Sequence, residues 1–375
     1  MASNSVSPYS LDELFSSTAL GSLDKAIGNN LYGINHLQTP TVIPSNKDTY
    51  GLTFFVRPQL NLQTDNLRNI RRFYSMLTDK TTTIQNVTRC LLDPRIMTGY
   101  TGGYGTKTFT IPPVNNPLVD NENAFFPVLT NNCNVVSGWP DLTLPVWSST
   151  PGLYKEVYSL PDGLTQNYGT YTIDATFRNT LGSPILYMFY IWLHYMSYVK
   201  KGDIIPYLDY LQTNTLDFCS RIYRVVLDQQ KHTVTSIHAC GWCFPISDPI
   251  SMIADFNKET PYNEQVKDIT IRFQCHGFET MDDILVMEFN KTVEIFKPAM
   301  KDGVRSTIVS DGSENPLKMQ KLTKRERMYF KNRGYPRINP QTFELEWWLD
   351  MDYYMRMMGK MVMQEADFSN YENQE

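Results

Sequence analysis

The chain has 375 residues, 42% of them hydrophobic and 13% aromatic, enough to bury a sizeable core and to exclude wholesale disorder. Only 19% are charged and the net charge is −5, which argues against a general nucleic-acid coat protein. The 23 tyrosines and 19 phenylalanines suit half-buried sheet surfaces better than helical bundles.

No apolar run approaches the roughly 18 residues of a membrane span. The opening MASNSVSPYSLDELF lacks the basic-then-apolar plan of a signal peptide. Six cysteines make no disulfide framework, so a soluble protein kept in a reducing cytoplasm is the expectation.

Three regions follow from composition: an N-terminal arm over 1–49, a core over 50–299, and a linker with a partly helical C-terminal extension over 300–375. The arm is rich in Ser, Asn, Gly, Thr and Pro. Its amphipathic stretch Leu11 to Leu23 reads as a frayed terminus or as a helix ordered on a partner. Tyr50 to Leu62 is strand-like, with Pro58 demoting it to an edge or bulged strand. Leu67 to Leu77 has helical spacing, with Arg68, Arg71 and Arg72 on a solvated side. Residues 98–123 read as a long loop, of the kind that is functional or a binding excursion.

Strand character resumes at Phe125, Phe126, Val128 and Leu129, and Leu142, Leu144 and Val146 alternate with polar neighbours. Over Tyr168 to Phe177, Tyr171, Ile173, Ala175 and Phe177 share one face and Thr172, Asp174 and Thr176 the other. Ser183-Pro184 predicts a helix start, with Ser as cap and Pro in the first position, and Ile185 to Val199 is apolar nearly all round. Arg221 to Leu227 and Val234 to Cys240 predict two strands joined over a hairpin-length connection. Ile269 to Cys275 is the clearest alternation, and 282–296 reads as a helix. No internal repeat is visible.

Cys240-Gly-Trp-Cys243 is the pattern closest to chemistry. A redox dithiol needs a helix N-terminus to lower one thiol pKa, but Pro245 and Pro249 deny that helix. Zinc needs four ligands; the available recruits are His238, Cys275 and His276, and Cys275 and His276 point to opposite faces of a strand. Ordinary buried thiols are the preferred reading. Gly99 to Gly105 superficially resembles a phosphate-cradling loop, yet no helix or Lys-Ser/Thr follows. His194 reads as a satisfied core histidine, and Asp282 and Asp283 as caps of the following helix rather than an acid–base pair. No catalytic, cofactor-binding or metal residue is assigned, and no cofactor is expected.

The C-terminal extension is polarised. Residues 318–337 hold eight basic residues against Glu326, and 341–375 hold eight acids against Arg356 and Lys360. A clasp between opposite patches, within or between chains, fits better than nucleic-acid binding; a merely solvated surface is the plain alternative. Trp347, Trp348, Tyr353, Tyr354 and five methionines (355, 357, 358, 361, 363) argue for burial against something, such as a partner subunit.

The run Ser220 to Asp228, then Val234 to Ser247, then Asp268 to Phe278 resembles the C-terminal half of tail-tube-fold proteins of contractile-tailed bacteriophages. Tyr171 to Phe177 matches that family's preceding strand, Pro184 to Tyr198 its single helix, and Phe55 to Leu60 its opening strand. Phe126 to Trp147 resembles the strands flanking its intersubunit loop, so the likeness covers roughly 50–290. It implies a mainly β (α+β) fold with one packed helix, a tail-tube-like β-sandwich or barrel core with extensions at both ends. It implies a non-enzymatic virion protein assembled in the host cytoplasm into a hexameric ring of the tube or baseplate. Neighbouring tube, baseplate or sheath proteins would be its partners, and DNA would pass through the channel without specific binding. A neck or tail-completion ring is the alternative, given the added 98–123 and 318–375. Two other classes stay open on the residues alone: a thiol-redox protein, and a carbohydrate- or receptor-binding module using Trp and Tyr on loops.

Overall fold

The computed structural model describes residues 50–359, apart from 79, 98–99, 105–106, 112, 115, 164–168, 229–230, 256–257, 260, 262–266, 281–282, 306–317 and 331–332. The N-terminal arm with Leu11 to Leu23, and Gly99, Asp282, Met361 and Met363, lie outside the described residues.

Tyr50–Phe55 forms β1, and Pro58, which has no amide to donate, follows its end. The expected helix over 67–77 is broken: Thr64–Arg68 is helix α1, and a 3₁₀ turn at Tyr74–Met76 follows. Ile84–Leu92 is α2, capped by the Thr83 hydroxyl, which accepts from the Asn86 amide. Inside the 98–123 excursion, β2 (Tyr100–Tyr104) and β3 (Lys107–Ile111) pair as an antiparallel hairpin. Gly102 and Gly103 interrupt its side-chain alternation, and that makes it read as loop.

A second difference falls at Pro127–Asn132, which is helix α3 and not strand. Phe125 and Phe126 are buried as expected, but Pro127 in the first turn starts a helix. Strands β4 (Cys133–Ser137), β5 (Val146–Ser148), β6 (Ser159–Pro161) and β7 (Thr170–Arg178) follow. Next comes the long helix α4, Pro184–Lys201. Pro184 opens it as expected, whereas Ser183 is left-handed (φ 47°) and its side chain makes no cap bond. Gly202, at φ 86°, closes it by donating its amide to the Tyr198 and Val199 carbonyls. Helix α5 is Leu208–Thr213.

Strands β8 (Ile222–Leu227), β9 (Val234–Pro245) and β10 (Asp268–Thr280) precede helix α6 (Asp283–Phe296). The C-terminal extension holds β11 (Met319–Lys321), helix α7 (Lys324–Tyr329), β12 (Tyr335–Ile338) and β13 (Leu345–Asp350), and residues 351–359 are helical.

Six strands make one antiparallel sheet in the order β1-β8-β9-β10-β7-β4. Ile173, Ala175, Phe177, Ile269, Ile271 and Phe273 point to one face and bury against Ile185, Phe189 and Trp192 of α4. On the opposite face, Tyr223, Val225, Ile237 and Ala239 meet Leu285, Phe289 and Val293 of α6. The small sheet β11-β13-β12 closes that side through Tyr335, Ile338 and Leu345. The fold is therefore α+β with the long helix packed on the sheet. Among the described residues the sheet stays open; no barrel closes within one chain.

Candidate assembly surfaces

Among the described residues, helix α6 covers the second face of the large sheet over β1, β8 and β9, and nothing covers that face over β7 and β10. Register pairs Thr176 with Thr270, Asp174 with Arg272, Thr172 with Gln274 and Thr170 with His276, all exposed or half-exposed. The two alternating stretches picked out by sequence, 170–177 and 269–275, are thus one surface. The threonine hydroxyls of the first pair lie 3.0 Å apart, and the Arg272 guanidinium holds the Asp174 carboxyl below its ordinary pKa through hydrogen bonds. Two arginines (Arg178, Arg272) balance two acids (Asp174, Asp268), so the face is polar and without net charge.

Among the described residues both borders of the sheet are incomplete. Beyond β1 those residues cover only the end of the strand, where Phe126 donates its amide to the Phe55 carbonyl and the Arg57 amide donates to that of Ala124. Beyond β4 the described residues supply no further strand, and Val135 on it is 54% exposed. A register shift between Cys133 and Val135 twists this edge. The β5–β6 hairpin follows it in the chain and pairs as a sheet of its own. Val146, Trp147, Leu153, Tyr154, Tyr158 and Leu160 are all exposed there, Leu153 at 90%. So many exposed apolar side chains on one arm make it a candidate interaction surface.

The C-x-x-C pair lies in β9, in extended backbone and not at a helix start. Residues three apart on a regular strand face opposite ways. Here Tyr223 opposes Ala239 while Ser220 bridges Cys243, so β9 takes four steps (239 to 243) where β8 takes three (223 to 220). This bulge turns Cys240 and Cys243 to the same side, where Cys275 of β10 joins them. The three sulfurs lie within 4.8 Å of one another and all three residues are fully buried. Burial raises the Cys240 thiol, but hydrogen bonds from Cys243, Cys275 and the Ile222 amide (3.1 Å) outweigh it and hold Cys240 below its ordinary value. Burial raises Cys243, and the Cys240 hydrogen bond raises Cys275. Of the three recruits considered for a metal group, Cys275 belongs to the cluster. His238 instead bonds Thr280 and stacks on Phe278, and His276 lies against Trp242.

His194 is satisfied but is not a core residue: half-exposed on α4, it contacts the Arg72 guanidinium at 2.9 Å and packs on Tyr190. Asp283 is exposed in the first turn of α6.

The polarised C-terminal extension clasps within the chain. Lys321 pairs with Glu346 at 2.8 Å, and Arg337 with Asp302 at 2.9 Å. Lys297, at the end of α6, binds Asp350 at 2.8 Å and also Glu122. Trp347 and Trp348 pack on the core, and Tyr353, Tyr354, Met357 and Met358 pack around Phe330 and Leu322. Most of the described aromatic and methionine excess therefore packs on this chain itself, while Met355 stays exposed.

A family model described as "Putative phage tail tube protein" matches residues 5–366, and the chain belongs to that family of phage tail proteins. No curated protein sequence matches the chain. Two cryo-EM structures are similar to part of it. The tube-terminating cap of the anti-feeding prophage shares 13% identity over 42% of this chain and 81% of that one, with a TM-score of 0.27. The sheath/tube terminator of an extracellular contractile injection system, PVC, in its extended state shares 12% identity over 42% and 86%, with a TM-score of 0.24.

Proposed function

We propose that copies of this chain assemble into a ring of a contractile phage tail, around the channel that DNA crosses. The observation that carries this reading is the six-stranded sheet, whose borders β1 and β4 no described strand completes. Unpaired strand edges promote association, and a closed ring of identical subunits leaves none of them free. In the ring, β4 of one copy lies beside β1 of the next, and the β5–β6 hairpin buries its apolar side chains on a neighbour. The bare β7–β10 face lines the channel. A neutral polar surface suits that position, because phosphate adhesion grows with each Lys or Arg contact. The ring is hexameric, as the family resemblance implies, and acts through assembly without catalysis. Full burial of the three thiols supports this over thiol-redox work, which needs an accessible thiolate.

The 98–123 excursion and the C-terminal extension are bound to the core by Arg57 and by Lys297 respectively. They suit a specialised ring at the baseplate, with a neck or tail-completion ring as the second reading. The purified chain viewed by negative-stain electron microscopy, with antibody labelling of intact virions, tests the proposal. Rings with a central hole and label on the tail support it. Unassembled particles at high concentration and an unlabelled tail refute it.

A further inference from the structure

Tube assembly makes no use of the three thiols gathered on β9 and β10. We infer that Cys240, Cys243 and Cys275 form a three-thiolate site for a soft monovalent cation, with Cu(I) as the ion this donor set fits.

Four observations carry the assignment. The sulfurs come from two adjacent strands and lie within 4.8 Å of one another, so one ion can reach all three. Cys240 and Cys243 share a side only because β9 bulges at Gly241 and Trp242 opposite Arg221. Glycines serve this distortion on both strands. A Cβ at Gly241 would meet the His276 carbonyl at 2.9 Å, and Gly277 adopts φ 69°. Finally, the donor set ends at three. Among the described residues, the cluster of potential ligands contains no His, Asp or Glu.

Ligand number and softness then select the ion. Zinc in a structural site takes four ligands, and a fully buried pocket has no solvent to complete the set. Thiolates suit Cu(I), zinc and iron–sulfur centres alike, and a set that stops at three leaves Cu(I) as the ion it fits. Each ligating thiol gives its proton to solvent as the ion enters. The Ile222 amide, donating to Cys240 Sγ at 3.1 Å, is placed to support that sulfur as a thiolate. Since all three cysteines are sealed from water, the ion is taken up as the sheet closes in folding.

The test refolds the full chain anaerobically with Cu(I) or with Zn(II), then measures metal per chain and the X-ray absorption of the bound ion. One Cu(I) per chain with three sulfur neighbours is expected in the parent and in Cys219→Ala, which lacks a thiol outside the site. Retention should fall by about ten-fold or more in Cys243→Ala and Cys275→Ala. Natively refolded parent with no stoichiometric copper overturns the inference. So does copper held equally by the site variants, or a preference for Zn(II). If the alanine variants do not fold, the parent's stoichiometry and sulfur count decide alone. Ring formation by a copper-free parent leaves the tail assignment standing, so the two proposals fail separately.

Discussion

Arg272 holds Asp174 across the β10–β7 pair with two hydrogen bonds, Nε to Oδ1 at 2.7 Å and Nη2 to Oδ2 at 3.1 Å. The two residues are register partners midway along the β7–β10 pairing, so the fork cancels charge in the middle of the proposed channel wall. Being exposed and screened by water, the pair adds little to stability. Asp174→Arg should leave the denaturation midpoint nearly unchanged and still form rings, yet slow DNA release from virions, most strongly at low salt. Release kinetics at two ionic strengths check this; unaltered release in the variant counts against a channel-facing position.

Edge completion predicts a separable defect in β4. Val135→Lys places a charge on the free border, where lysine discourages strand pairing. The folded chain should keep its circular dichroism and lose its rings, read by sedimentation velocity.

The hairpin provides a second assembly handle. Trp147 and Leu160 are cross-strand partners and both at least half exposed. Replacing both by Ser should change unfolding free energy by under about 1 kcal/mol. Association should weaken by about ten-fold or more, as for loss of an aromatic anchor at an interface.

Inside the fold, Arg57 is 2% exposed and donates to the carbonyls of Cys90, Leu91, Asp120 and Asn123. It ties β1 to α2 and to the base of the 98–123 excursion. Arg57→Met strands those acceptors and should cost about 3 kcal/mol or more, measured by urea unfolding.

Two buried carboxyls give a pH signature. Burial raises Asp93 to about 6, where it accepts from the Leu62 amide and the Tyr207 hydroxyl. Burial also raises Asp217 to about 6, beside the Tyr195 hydroxyl that donates to it. With folded values above the unfolded one, the native state binds more protons between about pH 4 and 6. Stability contributed by these groups is therefore present below that window and lost as pH rises through it. Asp217→Asn should flatten this decline relative to the parent in unfolding curves taken across the window; an equally steep decline in both contradicts it.

Period-two patterning made β7, β8, β10 and the first half of β9 legible, since each buries one set of alternate residues such as Ile269, Ile271 and Phe273. Helices α4 and α6 were legible from uninterrupted apolar periodicity. What stayed hidden depends on non-local pairing. The bulge at Gly241 exists only against β8, so nothing within β9 shows that Cys240 and Cys243 turn the same way. Pairing with β8 and β10 also carries β9 past Cys240 to Pro245. Strand β13 joins two partners through Leu345, Trp347 and Trp348, and its aromatic pair reads equally well as interface. Strand alternation also marked 168–177 and 269–275 as separate stretches, and only the β7–β10 register makes them one surface.

Cross-linking the two sheet borders tests ring closure most directly. Within one chain four strands separate β1 from β4, a span of about 24 Å at strand spacing, beyond a short thiol linker. With cysteines introduced as Tyr50→Cys and Val135→Cys, a short bis-maleimide should yield a ladder of covalent oligomers ending at one closed size, absent from either single variant. A double variant that remains monomeric after treatment, at concentrations where the parent is assembled, contradicts border-to-border closure.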